Sequence, residues 1–251
     1  MKQRYFIRFS YDGTNYHGWQ IQPNNVSVQE KMTGIMQRLF GPDLQLTAAG
    51  RTDSGVHAEV MYAHFDTIKP ILDTQAMAYK LNYMMPPDIS VFEILPVKPD
   101  AHARFDAVSR TYEYRIGYGK YPFIRNYYTH CHGMLDVEAM NKAASCLMDY
   151  TDFTSFSKLH TDVKTNDCKI SKAFWDQRGD LLVFTIQADR FLRNMVRAIV
   201  GTMMEVGRGK MDTEGFKAVI ESKNRCYAGT SVDAKGLFLT DISYPESLFL
   251  R

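Results

Sequence analysis

The segment AAGRTDSGVHAEV, residues 48–60, concentrates side chains that could carry out chemistry. It places Arg51, Asp53, Ser54 and His57 in one short stretch that also contains two glycines. Glycine lets the backbone adopt unusual turns, and a guanidinium two residues from a carboxylate favours the ionised carboxylate. We therefore expect Asp53 to be negatively charged at neutral pH.

The same segment also fits other interpretations. A polar turn in which Asp53 accepts a hydrogen bond from a backbone amide is the ordinary explanation for such a sequence. The triplet Asp-Ser-Gly occurs in aspartic proteases, but those enzymes need two carboxylates that share a proton, and no second Asp-[Ser/Thr]-Gly triplet is present. A serine hydrolase is disfavoured as well, because no Gly-x-Ser-x-Gly motif surrounds Ser54. The segment alone does not separate a structural turn from a catalytic carboxylate.

A second group of candidate residues lies in RTYEYRIGY, residues 110–118. In a strand, Arg110, Tyr112 and Tyr114 share one face, because side chains alternate between the two faces. Aromatic rings beside arginines can stack on an unpaired nucleic-acid base. The ordinary alternative is that the rings pack into the core with their hydroxyl groups at its rim.

A third group is a series of arginines in RFLRNMVRAIVGTMMEVG. Helical periodicity predicts a helix from about residue 190 to 206, with Arg190, Arg193 and Arg197 on the face opposite the apolar side chains. A solvated face is the usual reason for such a pattern. No acidic residue occurs before Glu205, however, so pairing within the helix does not explain it. Phosphates or a buried carboxylate become candidate partners.

Hydrophobic periodicity predicts the elements that must position these side chains. RYFIRFSY, residues 4–11, alternates as a strand does, and Ser27 with Glu30 forms the capping-box pattern that begins a helix. A Gly-Pro pair ends that helix. We expect strands on both sides of Asp53, then a helix over about residues 73–85 and a strand over ISVFEIL.

The second half of the chain repeats this order. AVSRTYEYRIGY predicts a strand, residues 136–148 a helix, and the sequence around Gly179 a β-hairpin. The order strand, helix, strand, strand, helix, strand thus occurs twice in outline, which predicts two similar α/β lobes around one mixed sheet. We predict domains at residues 1–104 and 105–251.

Composition restricts the class of protein. The chain has 251 residues, a formal net charge of +2 and four cysteines without a Cys-x-x-Cys pair, which argues against a disulfide scaffold or a zinc ribbon. His-Cys-His at residues 130–132 is the only metal-like cluster, and such lone clusters are usually structural. No apolar run is long enough to span a bilayer, so we expect a cytoplasmic protein with no membrane partner. The charge permits a nucleic-acid partner without requiring one.

Several motifs together carry a resemblance to a known family. GRTDSGVHA, YDGTNYHGWQIQ, SVQEKM, HARFDAVSRTYEYRI, FLRNMVRAIVGTMMEVG and AKGLFL occur in the same order as in tRNA pseudouridine synthase A, the anticodon-arm family. The chain resembles that family from Tyr11 to Tyr244. The resemblance implies an α/β (α+β) fold of two similar lobes around a mixed, largely antiparallel central sheet, with flanking helices and a basic cleft. It also implies a homodimer that binds tRNA.

The resemblance assigns roles to individual residues. The family's catalytic aspartate falls on Asp53, its base-stacking tyrosine on Tyr112, and the arginine that pairs with the catalytic carboxylate on Arg197. Arg51 matches the arginine that helps to extrude the target base. The further substrate-binding residues it implies are Arg110, Arg190, Arg193 and Leu237.

The implied reaction converts uridine to pseudouridine at positions 38, 39 and 40 of the anticodon stem-loop. An ionised carboxylate can act as the nucleophile at C1′ of the ribose or at C6 of the base, and the sequence leaves both open. A stacked uridine must be flipped out before it can react. Neither a metal nor an organic cofactor is needed. The alternatives are a noncatalytic RNA-binding protein, a hydrolase, and a related pseudouridine synthase that acts on other RNAs.

Overall fold

The computed structural model describes residues 2–158 and 165–250. The chain forms two compact units, Met1–Val108 together with Leu239–Arg251, and Ser109–Phe238. The predicted domains, residues 1–104 and 105–251, stay a prediction, since compactness alone does not define a part that folds independently.

The described residues contain strands and helices in alternation. The strands are β1 Gln3–Tyr11, β2 Thr47–Ala48, β3 His57–Thr67, β4 Ile89–Pro96, β5 Ser109–Gly117, β6 Thr129–His130, β7 Ile170–Arg178, β8 Leu181–Ala188 and β9 Leu237–Ser243. The helices are α1 Val28–Phe40, α2 Thr74–Met84, α3 Val137–Cys146, α4 Met195–Gly207 and α5 Thr213–Glu221.

In the first unit the strands lie in the order β4-β1-β3-β9, and β1 is antiparallel to both β3 and β4. The predicted alternation on β1 is confirmed, because Tyr5, Ile7, Phe9 and Tyr11 are all buried. Phe6, which points to the opposite face, is buried too, since side chains from the end of the chain cover it.

That cover comes from residues after β9. The rings of Tyr244 and Phe249 lie edge-on to Phe6, with centroid distances of 5.1 and 6.1 Å. The backbone nitrogen of Leu250 also donates a hydrogen bond to the carbonyl oxygen of Pro96, at 2.9 Å. The last residues of the chain therefore complete the core of the unit that the first residues begin.

Helix α1 begins and ends where the sequence predicts. The Ser27 hydroxyl accepts a hydrogen bond from the Glu30 amide at 3.2 Å, and the Glu30 carboxylate accepts one from the Ser27 amide at 3.4 Å. This reciprocal capping satisfies two amides that have no partner within the helix. Gly41 ends the helix with a φ of 105°, a conformation that favours glycine.

In the second unit β8 is antiparallel to both β5 and β7, and β6 runs parallel to β5. The predicted hairpin between β7 and β8 is confirmed, and Gly179 in its turn has a φ of 58°. The predicted mixed α/β fold class with a largely antiparallel sheet is confirmed. The basic cleft stays a prediction.

The helix predicted from about residue 190 is wrong at its start. Helix α4 begins at Met195, because Asn194 has a left-handed backbone with a φ of 66°. Its side-chain amide donates a hydrogen bond to the Ser231 hydroxyl at 2.6 Å, which helps to hold this conformation. Helix α5, whose first turn is capped by the Asp212 carboxylate, is not predicted from the sequence.

Candidate active site

Asp53 lies in the loop between β2 and β3 and is half-buried. Its carbonyl oxygen accepts a hydrogen bond from the Val56 amide at 3.2 Å, which closes a tight turn. The preceding residue, Thr52, is held on two sides. Its carbonyl oxygen accepts a hydrogen bond from the Trp19 amide at 3.3 Å, and its hydroxyl shares one with Tyr11 at 2.8 Å. The backbone that carries Asp53 is thus fixed by residues far away in the sequence.

Two glycines allow another segment to lie directly against this loop. A Cβ atom on Gly18, whose φ is 84°, would lie 2.4 Å from the carbonyl oxygen of Thr52. A Cβ atom on Gly13 would lie 2.0 Å from the carbonyl oxygen of Val56. Both distances are far below van der Waals contact, so only glycine permits this approach.

Tyr16 anchors the segment between these glycines. Its carbonyl oxygen accepts a hydrogen bond from the Gly55 amide at 3.2 Å, and its hydroxyl donates one to the Asp88 carboxylate at 2.7 Å. Burial, and then the bond to Asp88, raise the pKa of the Tyr16 hydroxyl, so it remains protonated as a donor. Tyr16 therefore connects the Asp53 loop, through Gly55, to Asp88 just before β4.

The geometry disfavours a serine hydrolase at this loop. The Ser54 hydroxyl is directed at the carbonyl oxygen of Tyr16, at 3.4 Å. His57 is buried at the start of β3, and its Nδ1 accepts a hydrogen bond from the Gly13 amide at 3.0 Å. The two side chains therefore have different partners and do not form a nucleophile and base pair.

In the second unit, Tyr112 lies on β5 opposite Ile186 of β8 and is half-buried. Its ring meets the Phe191 ring edge-on, with a centroid distance of 5.1 Å. Nearby on the same strand, an Nη of Arg110 donates a hydrogen bond to the carbonyl oxygen of Asp189 at 2.6 Å. Arg110 and Tyr112 are therefore both fixed against the segment that connects β8 to α4.

Arg190 and Arg193 lie in that connecting segment, ahead of α4. An Nη of Arg190 donates a hydrogen bond to the carbonyl oxygen of Thr165 at 3.3 Å, and Arg193 is exposed. The prediction that both share a helix face with Arg197 is wrong, because the left-handed Asn194 separates them from the helix.

Arg197 lies in the first turn of α4 and is bound to the segment at residues 230–233. Its Nε donates a hydrogen bond to the carbonyl oxygen of Val232 at 2.7 Å, and the Val232 amide donates one to the carbonyl oxygen of Arg197 at 3.2 Å. A Cβ atom on Gly201, one turn further along, would lie 1.9 Å from the carbonyl oxygen of Thr230. The segment therefore runs in close contact with the helix and fixes the orientation of the guanidinium.

Tyr114 meets the same segment from β5. Its hydroxyl donates a hydrogen bond to the carbonyl oxygen of Asp233 at 2.9 Å and shares one with Thr129 at 2.6 Å. Burial raises the pKa of this hydroxyl, although the bond with Thr129 and the charge of Arg197 act in the opposite direction. Leu237, which follows at the start of β9, is buried.

Comparison with known proteins identifies the family. Residues 143–245 match the family model described as tRNA pseudouridine synthase. A tRNA pseudouridine synthase A from Bacteroides thetaiotaomicron is 58% identical over 250 residues, which cover 98% of this chain and 93% of the relative. The protein of the same name from Parabacteroides distasonis is 57% identical over 98% of both chains. One from Geobacillus sp. is 38% identical over 97% of this chain and 99% of its own.

The chain belongs to the tRNA pseudouridine synthase A family. The resemblance found in the sequence motifs is thereby confirmed, and the protein is an RNA pseudouridine synthase, which is an isomerase.

The family's motif residues fall into both units. Arg51, which is exposed, and Asp53 belong to the first, and Tyr112 and Arg197 belong to the second. In the parts of the chain that the structure describes, no three His, Cys, Asp or Glu side chains are grouped as a metal site would require. Nor does any described helix have the length and apolar character that crossing a bilayer demands.

Sequence reasoning missed the support of the Asp53 loop. The residues concerned are Gly13, Tyr16 and Gly18, all within the motif YDGTNYHGWQIQ that the family shares. Two glycines five residues apart, after a strand, were the available signal. Nothing in the sequence indicated that they face the loop at residues 52–56.

Proposed function

We propose that the protein converts uridine to pseudouridine at positions 38, 39 and 40 of the tRNA anticodon stem-loop, with Asp53 as the nucleophile. The relatives' names supply tRNA as the substrate. The observation that carries the role of Asp53 is its loop, in which the backbone before and after this half-buried residue, at Thr52 and Val56, lies so close to Gly18 and Gly13 that no other residue fits there. Rigid support of this kind is expected where a reacting group must be positioned accurately.

The reaction exchanges one bond for another within the nucleotide. The bond between N1 of uracil and C1′ of ribose breaks, and C5 bonds to C1′. The proton on C5 leaves, and N1 gains one, so no water or electron is consumed. A carboxylate that attacks C1′ or C6 holds one fragment covalently while the base reorients.

The other motif residues have supporting roles in this proposal. Tyr112 stacks on the flipped base, and Arg51 helps to extrude it. Arg197 pairs with the carboxylate of Asp53 and aligns it, and its own alignment comes from the bond between its Nε and Val232. The remaining contacts to the tRNA are assigned to Arg110, Arg190, Arg193 and Leu237.

The cellular setting is inferred from the sequence, and the oligomeric state from the family resemblance. We propose that the protein acts in the cytoplasm as a homodimer. The isomerisation is redox-neutral and needs no metal or organic cofactor.

The test compares Asp53→Asn with the parent protein on unmodified tRNA transcripts. We expect the parent to release tritium from C5-labelled uridine and to form pseudouridine at positions 38–40. Asp53→Asn should bind tRNA normally without detectable product, because an amide cannot attack but leaves phosphate contacts intact. Asp43→Asn, at an exposed position in the same unit, is the matched control and should remain active.

Each alternative outcome has a distinct meaning. Turnover by Asp53→Asn would overturn the nucleophile assignment. Binding by the parent without tritium release would indicate a noncatalytic RNA-binding protein. Product at other positions only would indicate a synthase that acts on a different site.

A further inference from the structure

The loop at residues 102–106 is closed by its own hydrogen bonds. The Asp106 carboxylate accepts a bond from the His102 amide at 2.7 Å, and the Asp106 amide donates one to the carbonyl oxygen of His102 at 3.1 Å. Nδ1 of His102 accepts bonds from the amides of Arg104 and Phe105, at 3.1 and 3.4 Å. The loop therefore has a defined conformation.

The loop is also fastened to the core of the first unit. Ala103 is fully buried, and its amide donates a hydrogen bond to Nδ1 of His64 on β3 at 3.2 Å. Its carbonyl oxygen accepts a bond from the Tyr244 hydroxyl. An Nη of Arg4 on β1 donates to the carbonyl oxygen of Ala101 at 3.0 Å. The first part of the loop is thus held by strands or by the residues that pack on them.

Three rings lead from this core to the surface. The ring centroids of His64 and His102 are 4.5 Å apart, and those of His102 and Phe105 are 4.3 Å apart with an interplanar angle of 34°. Burial lowers the pKa of His64 to about 4 and also lowers that of His102, so both imidazoles are neutral at pH 7. Phe105 therefore rests on an uncharged support.

The outermost ring is left open to solvent. Phe105 is 74% exposed, and the guanidinium carbon of Arg104 lies 5.7 Å from the centre of its ring. A single exposed phenylalanine is common on protein surfaces. Here, however, the hydrogen bonds of the loop hold the ring outside the core, where it gains little from burial.

We propose that Phe105 and Arg104 form a binding site for an unpaired nucleotide of the tRNA substrate, in addition to the residues proposed for the reaction. The base stacks on the Phe105 ring, and the Arg104 guanidinium contacts the adjoining phosphate. Because the platform is fixed before binding, little conformational freedom is lost when the base docks. The inference rests on the proposed function for the identity of the RNA.

The direct test introduces a fluorescent reporter by Phe105→Trp. The native tryptophans, Trp19 and Trp175, are each only 3% exposed, so they contribute little change of their own. Addition of unmodified tRNA transcript should quench the new indole, with saturation at the concentration at which binding saturates. Phe123→Trp, at a position that is 98% exposed in the second unit, is the matched control and should not be quenched. Equal quenching of both variants, or of neither, would overturn the proposal.

Affinity measurements test the same site without a reporter. Phe105→Ala should weaken tRNA binding by roughly 5- to 150-fold, the range expected for one stacked base, with an unchanged melting temperature. Phe105→Leu should lose as much, because it keeps the apolar surface but not the ring. Arg104→Ala should reduce the slope of log affinity against log salt by about 1.

The remaining outcomes separate this inference from the proposed function. If the parent modifies tRNA and Phe105→Ala binds tRNA normally, the stacking site is wrong and the proposed function stands. If Phe105→Trp is quenched by tRNA but the parent forms no pseudouridine, the proposed function is wrong and the stacking site stands. A changed oligomeric state of Phe105→Ala with unchanged tRNA affinity would assign the loop to a contact between copies and overturn the proposal.

Discussion

Replacement of Gly18 by alanine should inactivate the enzyme although residue 18 carries no reactive group. The added Cβ atom would lie 2.4 Å from the carbonyl oxygen of Thr52, whereas 3.4 Å is the lower limit of ordinary contact. Because the neighbour is backbone, no side chain can rotate away. The loop that carries Asp53 must therefore shift by about 1 Å, a displacement that can reduce a rate by about 100-fold, or about 2.7 kcal/mol in activation free energy.

A second glycine separates this effect from loss of stability. Gly18 and Gly133 have similar left-handed backbones, with φ values of 84° and 78°, but a Cβ atom on Gly133 would meet nothing within 4 Å. Alanine in this conformation costs about 1–2 kcal/mol at either position. Gly133→Ala should thus lose this stability and keep its activity, while Gly18→Ala should lose at least as much stability and most of its activity.

The assay is single-turnover formation of pseudouridine in saturating enzyme, together with urea unfolding of each variant. Saturating enzyme removes any difference in tRNA affinity, so the rate reports the reaction itself. Normal turnover by Gly18→Ala would refute the argument that the close approach positions Asp53. Equal loss of turnover by Gly133→Ala would show that instability alone explains the effect.

Three further predictions follow from the second unit and from the sheet of the first. Tyr112→Phe should bind tRNA normally with reduced turnover, and Tyr112→Ala should also lose roughly 1–3 kcal/mol of binding free energy. Equal activity of the parent and both variants would assign this ring to the core. Arg190→Ala should lower the slope of log tRNA affinity against log salt by about 1 and leave single-turnover rates intact. Arg197→Ala should instead lose turnover with little change in that slope. The reverse result would contradict the pairing of Arg197 with Asp53. Burial lowers the pKa of His64 to about 4 in the folded protein. In the unfolded chain the same imidazole gains its proton at about pH 6.5, so acid favours the unfolded state between these two values. The free energy of unfolding, measured with urea, should therefore decline from about pH 6.5 towards pH 4, and it should decline less steeply in His64→Gln. An identical pH dependence in the parent and in His64→Gln would show that His64 is not the cause.

Features with local causes could be predicted from the sequence. The capping box of Ser27 and Glu30 involves residues three apart, and the hairpin at Gly179 joins strands that are adjacent in the chain. Period-two alternation was enough to place β1. In each case the residues that determine the structure lie close together in the sequence.

Features with distant causes could not be predicted. Helix α4 begins late because Asn194 binds Ser231, a residue 37 positions away. In the same way, the family resemblance implied a catalytic role for Asp53, which stays a proposal, but nothing in the sequence indicated the glycines that support its loop, since Gly18 and Thr52 meet only after the first unit has folded.

The first unit contains residues from the beginning of the chain and also residues from Leu239 onward. This arrangement affects the order in which the two units can be completed during synthesis. A ribosome makes residues 1–108 first, yet Phe6 stays without its cover, and Pro96 without the amide of Leu250, until residues 239–250 have been made. Residues 109–238 meanwhile become available to fold as a unit. Although domains usually fold in the order of their synthesis, the N-terminal part of this enzyme is completed last. A nascent chain that stalls before residue 239 would therefore present an open apolar surface to chaperones.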